Sequence, residues 1–438
     1  MSYGGDRQRR FESMKPKMKF FAIGLIAVLT AMGLYLWGQY TAQAGTSIEI
    51  VKEAEAAGGA KYSSNVKSPT GTMSPRDMYF PGTEKLAPNE MRIISCGTGM
   101  PAARRSQAAT CWLVELGNGD KFLFDIGTGS GANIGSLNIP YDYLDKVFVS
   151  HLHSDHVGDM DSLWIGGWTG GRHGALNVWG PSGAKPELGT KHFIEKLKDA
   201  FSWDYAGRLG IIPTGGGDIK VTEFDYRQVN KVAYEKNGVT IRSWPAIHAI
   251  DGSVSYSLEW KGLKFVFGGD TIPNKWYDKF AKNADLAIHE CFMPPNLMME
   301  KYGFSAVAAL NVATGVHTPP ASFGKVMSGI KPRMAVAYHF FNDFDTRYPI
   351  QEGIRRTYDG PLTMATDLLV WNVTKDDIRV RQGIVDDESW PAKSPTKPDE
   401  PDPKAKVEFT TFLKDGKLDM SETLGPLMEK FKKENNPK

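Results

Sequence analysis

Three histidines and an aspartate fall within six residues of one another, directly after an apolar run. The run Val147-Phe148-Val149 is typical of the end of a buried strand and leads into His151-Leu152-His153-Ser154-Asp155-His156. Side chains two positions apart at a strand end point the same way, and the following turn brings Asp155 and His156 to a neighbouring point. Neutral imidazoles and carboxylates are ligands that zinc accepts readily. The spacing therefore predicts two adjacent metal positions.

Strands and turns must position these ligands. Sequence patterns that predict strands and turns recur along the rest of the chain. Short β-branched runs broken by glycine recur from residue 91 to residue 381, with hairpin signals at Asn237-Gly238 and Lys261-Gly262. Residues 362–371 are predicted as one strand. Helices are predicted over residues 187–202, 273–283, 305–315, 320–330 and 349–358. The alternation favours two sheets packed face to face with helices outside.

The composition is that of a globular protein with one unusual end. The 438 residues are 41% hydrophobic and 23% charged, which excludes a coiled coil and full disorder. Six Lys and Arg residues against two acidic ones give residues 1–44 a charge of +4, the remainder carries −2, and the sum is the formal net charge of +2. A body without a cationic field argues against a dedicated nucleic-acid binder. The three cysteines have no paired spacing, so no disulfide framework is predicted.

The N-terminal residues have the layout of an export signal. Phe20 to Trp37 is almost continuously apolar, the six cations precede it, and Ala42-Gln43-Ala44 offers small residues at a cleavage position. The stretch is close to the roughly 20 residues that span a bilayer, so a cleaved signal peptide and an uncleaved membrane anchor both remain open. In either case the body is expected in the periplasm or on the extracytoplasmic face of the inner membrane.

The histidine cluster resembles the HxHxDH signature of the metallo-β-lactamase superfamily. Further motifs resemble the ribonuclease Z and arylsulfatase-like branch of that superfamily. They are Gly97-Thr98-Gly99-Met100-Pro101, the strand end Trp244-Pro245-Ala246-Ile247-His248, Gly268-Gly269-Asp270-Thr271, His289-Glu290-Cys291, Val316-His317-Thr318 and the isolated His339. The resemblance implies an α+β fold, the four-layer αββα sandwich of that superfamily.

The same resemblance implies a division of the chain and a set of site residues. The expected segments are a signal peptide or anchor (1–44), a spacer (45–88), the hydrolase domain (89–384), a linker (385–404) and a C-terminal tail (405–438). Two zinc ions per chain are implied, the first held by His151, His153 and His248. The second is held by Asp155, His156 and His339, and Asp270 bridges the two ions.

The catalysis implied is attack by a metal-bound hydroxide on an ester. Metal coordination lowers the pKa of water from about 15.7 to about 7, so hydroxide is available at neutral pH. Asp155 is expected to orient the nucleophile or accept its proton. Glu290 and His317, if paired, are expected to orient a proton donor for the leaving group, the alternative being a structural hydrogen bond.

The substrate is less clearly indicated than the metal site. Asp270 follows His248 by only 22 residues, where the ribonuclease Z pattern has a longer segment, and no basic arm for transfer RNA is visible. Exported arylsulfatase-like and small phosphodiesterase-like members, and the guanitoxin-biosynthesis metallo-hydrolase family, are more similar. Trp164 and Trp168 are predicted either to wall a substrate pocket, with Arg172 meeting an anionic group, or to pack a glycine-rich loop.

These features predict an exported dinuclear zinc hydrolase that cleaves a small phosphodiester, sulfate ester or related ester. A small molecule is the expected partner, nucleic acid is not expected, and the oligomeric state stays open. His173 and His192 are predicted to be ordinary surface residues. Two alternatives remain, an iron-dependent oxidoreductase on the same fold and a binding protein that keeps the metal site without turnover.

Overall fold

The computed structural model describes residues 77–397 and 399–435, so the predicted signal or anchor and most of the predicted spacer lie outside the described residues. Within the described part, two β-sheets pack face to face. No helix of that part is both long and apolar enough to cross a bilayer.

Nine strands form the first sheet and seven form the second. In spatial order, the first sheet contains β1 (Met78–Tyr79), β16 (Ile378–Gly383), β15 (Leu369–Val373), β2 (Met91–Gly97), β3 (Cys111–Leu116), β4 (Lys121–Phe124), β5 (Lys146–Phe148), β6 (Leu176–Pro181) and β7 (Ile219–Phe224). The second contains β14 (Leu362–Met364), β13 (Met334–Tyr338), β12 (Leu286–Glu290), β11 (Leu263–Phe267), β10 (Val254–Trp260), β9 (Val239–Pro245) and β8 (Lys231–Lys236). Strands β4 to β7 run parallel, as do β11 to β14, so their carboxyl ends meet at one edge of each sheet.

The helices lie between these strands and after the last one. They are α1 (Ser130–Gly135), α2 (Ser154–Val157), α3 (Gly167–Thr169), α4 (Thr190–Ala200), α5 (Ser202–Arg208), α6 (Lys275–Phe280), α7 (Pro295–Tyr302), α8 (Ala306–Asn311), α9 (Pro320–Ile330), α10 (Phe344–Arg355), α11 (Thr411–Asp415) and α12 (Ser421–Asn435). Two π-helical turns (Ser162–Gly166 and Val312–Val316) and four short 3₁₀ turns complete the described helical structure.

The core explains why the strands take these positions. Along β3, Trp112 and Val114 enter the cluster between the two sheets, while Leu113 faces the other way into a cluster shared with helices. Along β12, Ile288 belongs to the central cluster and Ala287 to one beneath the helices of the second sheet. The period of two places apolar residues on both faces of each sheet, and both faces are covered. The four-layer αββα arrangement is confirmed.

Two of the local predictions, the hairpins, agree with the structure, and one predicted strand does not. Both hairpins are confirmed, with Asn237 and Gly238 in left-handed conformation at φ 55° and 75° between β8 and β9. The single strand over residues 362–371 is wrong. The chain leaves β14 in the second sheet and enters β15 in the first, turning at Leu368 with φ 61°. Strand β1 lies inside the predicted spacer and adds an edge to the first sheet through β16.

Candidate metal centre

The predicted ligands converge because they follow strand ends at the same edge of the sandwich. His151 comes three residues after β5, Asp270 three residues after β11, and His339 directly after β13. His248 lies in the loop after β9. Gly269, which precedes Asp270, has φ 60°, and a Cβ there would stand 2.8 Å from the Cβ of Ser150. Only glycine lets these two loops approach so closely.

Four of the predicted ligands form a first group. The Nδ1 atom of His153 lies 3.1 Å from Nε2 of His151 and 3.1 Å from Nε2 of His248. The Oδ2 atom of Asp270 lies 4.0 Å from Nε2 of His151 and 3.7 Å from Nε2 of His248. These four residues offer one ligand atom each within a radius that suits a single ion.

A second group shares Asp270 with the first. The Nε2 atom of His156 is 3.3 Å from Oδ1 of Asp270, and Nε2 of His339 is 3.1 Å from its Oδ2. Asp155 completes the group, with Oδ2 at 3.0 Å from Nε2 of His339. All four residues are buried. The structure therefore brings together all seven predicted ligands, in the two sets that the resemblance implied.

The unpaired atoms of the site fit a pair of divalent cations. Oδ1 of Asp155, Nε2 of His156 and both carboxylate oxygens of Asp270 are buried without a hydrogen-bond partner among the described residues. Buried polar atoms without partners cost free energy, and carboxylates most of all. Five imidazoles and two carboxylates are a donor set that zinc accepts. The residues present fit the implied metal.

Hydrogen bonds to the Nδ1 atoms of His156 and His248 orient these rings so that their Nε2 atoms face the metal site. Asp125 holds Nδ1 of His156 at 2.6 Å and accepts from the backbone and hydroxyl of Ser150, both also at 2.6 Å. Nδ1 of His248 lies 2.9 Å from the carbonyl oxygen of Val316. Such partners fix the tautomer and the ring orientation of metal-binding histidines. Sequence reasoning missed Asp125, although an acidic residue in the apolar run Phe122-Leu123-Phe124-Asp125-Ile126 was a usable signal.

The electrostatics of the site divide the histidines into two kinds. Burial lowers the pKa of His151 well below its ordinary value, and it also lowers the pKa values of His153 and His248. Burial has the same tendency at His339, but Asp270 and Asp155 overcome it and raise the pKa of His339 to about 10. The neighbouring carboxylates likewise raise the pKa of His156. Positive charge is thus favoured where the carboxylates lie.

Glu290 and His317 are paired beside the second group. Nδ1 of His317 lies 3.1 Å from Oε1 of Glu290, which also accepts from the backbone amides of Thr271 and Thr318 at 3.2 Å each. The ring of His317 stacks on Phe292 with centroids 4.2 Å apart. The carboxylate and the stacked ring hold the imidazole in one orientation, which leaves Nε2 as the atom available to a substrate.

The structure does not bring Trp164, Trp168 and Arg172 to the metal centre as substrate-binding residues. All three are buried, and Arg172 donates to the carbonyl oxygens of Leu163, Trp164 and Gly216 at 2.7 to 3.0 Å. The indole nitrogens also donate to backbone carbonyls. These contacts fit the other reading of the segment, a glycine-rich loop packed by tryptophans.

A cavity of about 380 Å³ opens beside the first group instead. Its lining includes three predicted ligands, His151, His153 and His248, together with His192 from α4. His192 was predicted to be an ordinary surface residue, since an isolated histidine gives no signal in the sequence. A second cavity of about 310 Å³ lies across the loop 246–252 and includes a single predicted ligand, His248.

Comparison with known proteins places these features in context. Residues 91–299 match the family described as "Anti-Pycsar protein Apyc1". The chain is 28% identical over 206 residues to ribonuclease Z of Mycolicibacterium gilvum, covering 46% of this chain and 68% of that protein. It is 26% identical over 235 residues to ribonuclease BN of Proteus mirabilis, covering 46% and 76%. The metallo-β-lactamase fold protein YhfI of Bacillus subtilis aligns with 65% of this chain and all of its own, at 18% identity and a TM-score of 0.49.

Proposed function

The chain is a metal-dependent ester hydrolase of the metallo-β-lactamase superfamily, in its ribonuclease Z-like branch, and from this premise we propose that it is a dinuclear zinc phosphodiesterase acting on a small substrate. The shared carboxylate of Asp270 carries the proposal. One side chain lies within ligand distance of both histidine groups, which suits two neighbouring ions better than one.

The residues of the site would have separate roles in ester cleavage. His151, His153 and His248 would hold one zinc ion, Asp155, His156 and His339 the other, and Asp270 both. Bound there, the metals supply Lewis acidity and an activated water nucleophile. Asp155 has an unpaired buried oxygen, Oδ1, that can orient the nucleophile or take its proton. His317, oriented by Glu290, would deliver a proton from Nε2 to the departing oxygen.

A small substrate suits the cavity better than a transfer RNA. The cavity of about 380 Å³ is at the lower end of the usual size of small-molecule sites. Its lining carries two carboxylates, Glu187 and Asp251, against one ammonium group, Lys196, a balance that gives the further phosphates of a polynucleotide no net attraction. The names of the ribonuclease relatives favour RNA as a second candidate, and a sulfate ester remains a third.

A substrate panel with measured metal content tests this function. Full-length protein is supplied with zinc and assayed on chromogenic phosphodiester, sulfate ester, lactone and β-lactam substrates and on a precursor transfer RNA. We expect turnover of the phosphodiester at a rate that falls to background in His151→Ala. Cleavage of the RNA alone would favour the second candidate, and turnover of none would support a binding protein.

We also propose that the chain is exported, with its N-terminal segment either cleaved or retained as an anchor in the membrane. The apolar stretch from Phe20 to Trp37 and its basic flank support this, and both lie outside the described residues. A reporter that is active only outside the cytoplasm, fused after residue 60, should be active. Activity restricted to a cytoplasmic reporter at the same position would refute export.

A further inference from the structure

The C-terminal tail separates from the body of the protein after residue 406. Up to that point the chain is held in place, because the hydroxyls of Ser394 and Thr396 donate to Asp142. Lys406 packs so closely on Gly210 that a Cβ there would lie 2.6 Å from its own Cβ. Beyond it, the hydrogen bonds and ion pairs of the described residues join tail residues only to one another. The two helices of the tail, α11 and α12, therefore present their side chains to the surroundings.

Large apolar side chains are exposed along the whole of this tail. Ten of them between residues 407 and 431 are at least 48% exposed, and Phe412 is 85% exposed. Single exposed apolar side chains are normal on a protein surface, but a continuous set of them marks a surface that something else covers. The arrangement of residues around α12, which is 15 residues long, indicates what covers it.

The apolar residues of α12 form one stripe along the helix. An α-helix turns by about 100° per residue, so four large apolar side chains fall within a sector of about 100°, namely Leu424, Leu427, Met428 and Phe431. Each of the four is about half exposed or more. Three of them follow Pro426, in the uninterrupted part of the helix. A stripe of this width is typical of an amphipathic helix that lies against an apolar surface.

The charged residues of α12 surround that stripe in a pattern that suits an anionic surface. Lys430 and Lys432 lie on its two flanks, where their alkyl stems can follow an apolar layer while the ammonium groups reach its charged boundary. Three charged residues lie on the opposite side of the helix, namely Glu422, Glu429 and Lys433. Glu434 is the one acid of α12 near the stripe, and it lies 3.9 Å from Lys430 in an exposed pair that contributes little. An apolar stripe suits many partners, whereas cations on both flanks with acids turned away favour a negatively charged one.

We propose that α12 lies on the surface of a membrane that contains anionic phospholipids, with its apolar stripe in the interfacial layer and Lys430 and Lys432 among the headgroups. Such a helix binds through its buried apolar area together with attraction to the anionic lipids. The proposal is independent of the proposed hydrolase activity and of whether the N-terminal segment is cleaved, because it concerns the tail alone. It gives the protein a membrane contact at the C-terminal end of the chain.

A fluorescent probe on the tail tests whether the stripe enters lipid. The three native cysteines are buried, so a polarity-sensitive thiol dye will label an introduced cysteine, Leu427→Cys on the stripe or Lys433→Cys on the opposite side. The labelled full-length chain is incorporated into vesicles of phosphatidylcholine with increasing amounts of phosphatidylglycerol. The emission of the dye at position 427 should shift to the blue as the phosphatidylglycerol fraction rises, while the dye at position 433 should keep the spectrum that it has in water.

Each other outcome of this measurement overturns the proposal. The absence of a shift at position 427, or equal shifts at the two positions, would show that the stripe does not lie in lipid. A shift in pure phosphatidylcholine that grows with the amount of protein per vesicle would identify a second copy of the chain as the partner. A shift that depends on neither lipid composition nor protein density would mean that α12 docks on the body of its own chain.

Two neighbouring lysines supply a matched control for the charge. With the dye at position 427, Lys432→Gln removes a flanking cation and Lys433→Gln removes one from the opposite side, so the two variants have the same net charge. Lys432→Gln should weaken the binding of the tail to the anionic vesicles by about fivefold, the usual contribution of one lysine at such a surface. Lys433→Gln should weaken it by less than about twofold, because its ammonium group lies about one helix diameter, or roughly 10 Å, further from the lipid, which is close to the Debye length. Equal effects of the two variants would contradict a helix that lies with this face on the membrane.

Discussion

The two ligand groups differ in exposure and charge although they share Asp270. In the first group, His153 is exposed at the cavity and Asp270 is the sole carboxylate. The second group is wholly buried and contains Asp155 as a further carboxylate. Asp125 also holds His156 of the second group directly at 2.6 Å, whereas it reaches His151 of the first group only through the hydroxyl of Ser150. Under the proposed function, the second group would retain its cation and the first would present one to the substrate.

Charge and desolvation explain the expected difference in affinity. A divalent ion gains more from two buried carboxylates than from one, because electrostatic attraction is stronger where water is excluded. An exposed ligand such as His153 can also exchange its contact for water more easily than a buried one. We therefore expect the ion of the first group to leave first.

Asp270→Ala should produce the largest effect because it removes the ligand common to both groups. Activity should fall by about 10³-fold or more, since metal ions supply several kcal/mol of transition-state stabilisation. Both metal content and rate should be measured, with Asp376→Ala, an exposed site between β15 and β16, as the control. Loss of one ion with the other fully retained would show that the carboxylate serves a single group.

His317→Ala should keep both ions and slow only some substrates. Esters with a poor alcohol leaving group should slow by roughly 10²–10⁴-fold, because they need a proton in the transition state, while nitrophenyl esters should slow far less. Rates on both substrate types and the melting temperature are the readouts. Equal losses on both, with lower thermal stability, would mean that the hydrogen bond to Glu290 is structural.

Asp125→Asn should weaken the second group more than the first, because Asp125 contacts His156 directly and reaches His151 only through the hydroxyl of Ser150. Partners behind ligand histidines are typically worth 10–100-fold in metal affinity, and Asn tolerates the φ of 59° found at this position. Competition with a chromogenic chelator should show one strongly weakened site and one site that is weakened less. Equal weakening of the two sites would contradict the division described above.

Stepwise removal of the metal with a chelator should give the smallest effect. The two metal positions should differ in zinc affinity by about tenfold, which corresponds to about 1.4 kcal/mol in binding free energy. The first ion released should leave a protein with one metal, and His153→Ala should resemble that state. If His153→Ala loses the metal of the buried group first, the order is reversed.

The clustering of the proposed ligands could be predicted partly from local order and partly from the resemblance to the superfamily. Residues 151–156 follow a strand end and form a recognisable cluster by themselves, whereas His248, Asp270 and His339 are indicated by their resemblance to the superfamily motifs. Asp125 could not be placed in the same way, because the direction of its side chain depends on a turn with a left-handed φ that the apolar run before it does not indicate.

Tertiary packing decides the features that sequence did not indicate. Arg172 is only 16 residues from His156, yet it turns into the protein to satisfy three carbonyl oxygens. His192 is further along the chain, yet α4 brings it to the cavity. Closeness to His156 in the sequence was therefore a poor guide to the residues that line the cavity. The alternation of apolar residues with a period of two, by contrast, predicted the sheets well.

We expect Asp270 to join two metal positions, and the metal content of the protein is the simplest test of this expectation. Full-length chain is saturated with zinc, freed of excess metal and analysed by elemental mass spectrometry beside His153→Ala and Asp270→Ala. The expected result is two ions per chain in the native sequence, about one in His153→Ala and fewer than one in Asp270→Ala. One ion or none in the native chain under these conditions would contradict it.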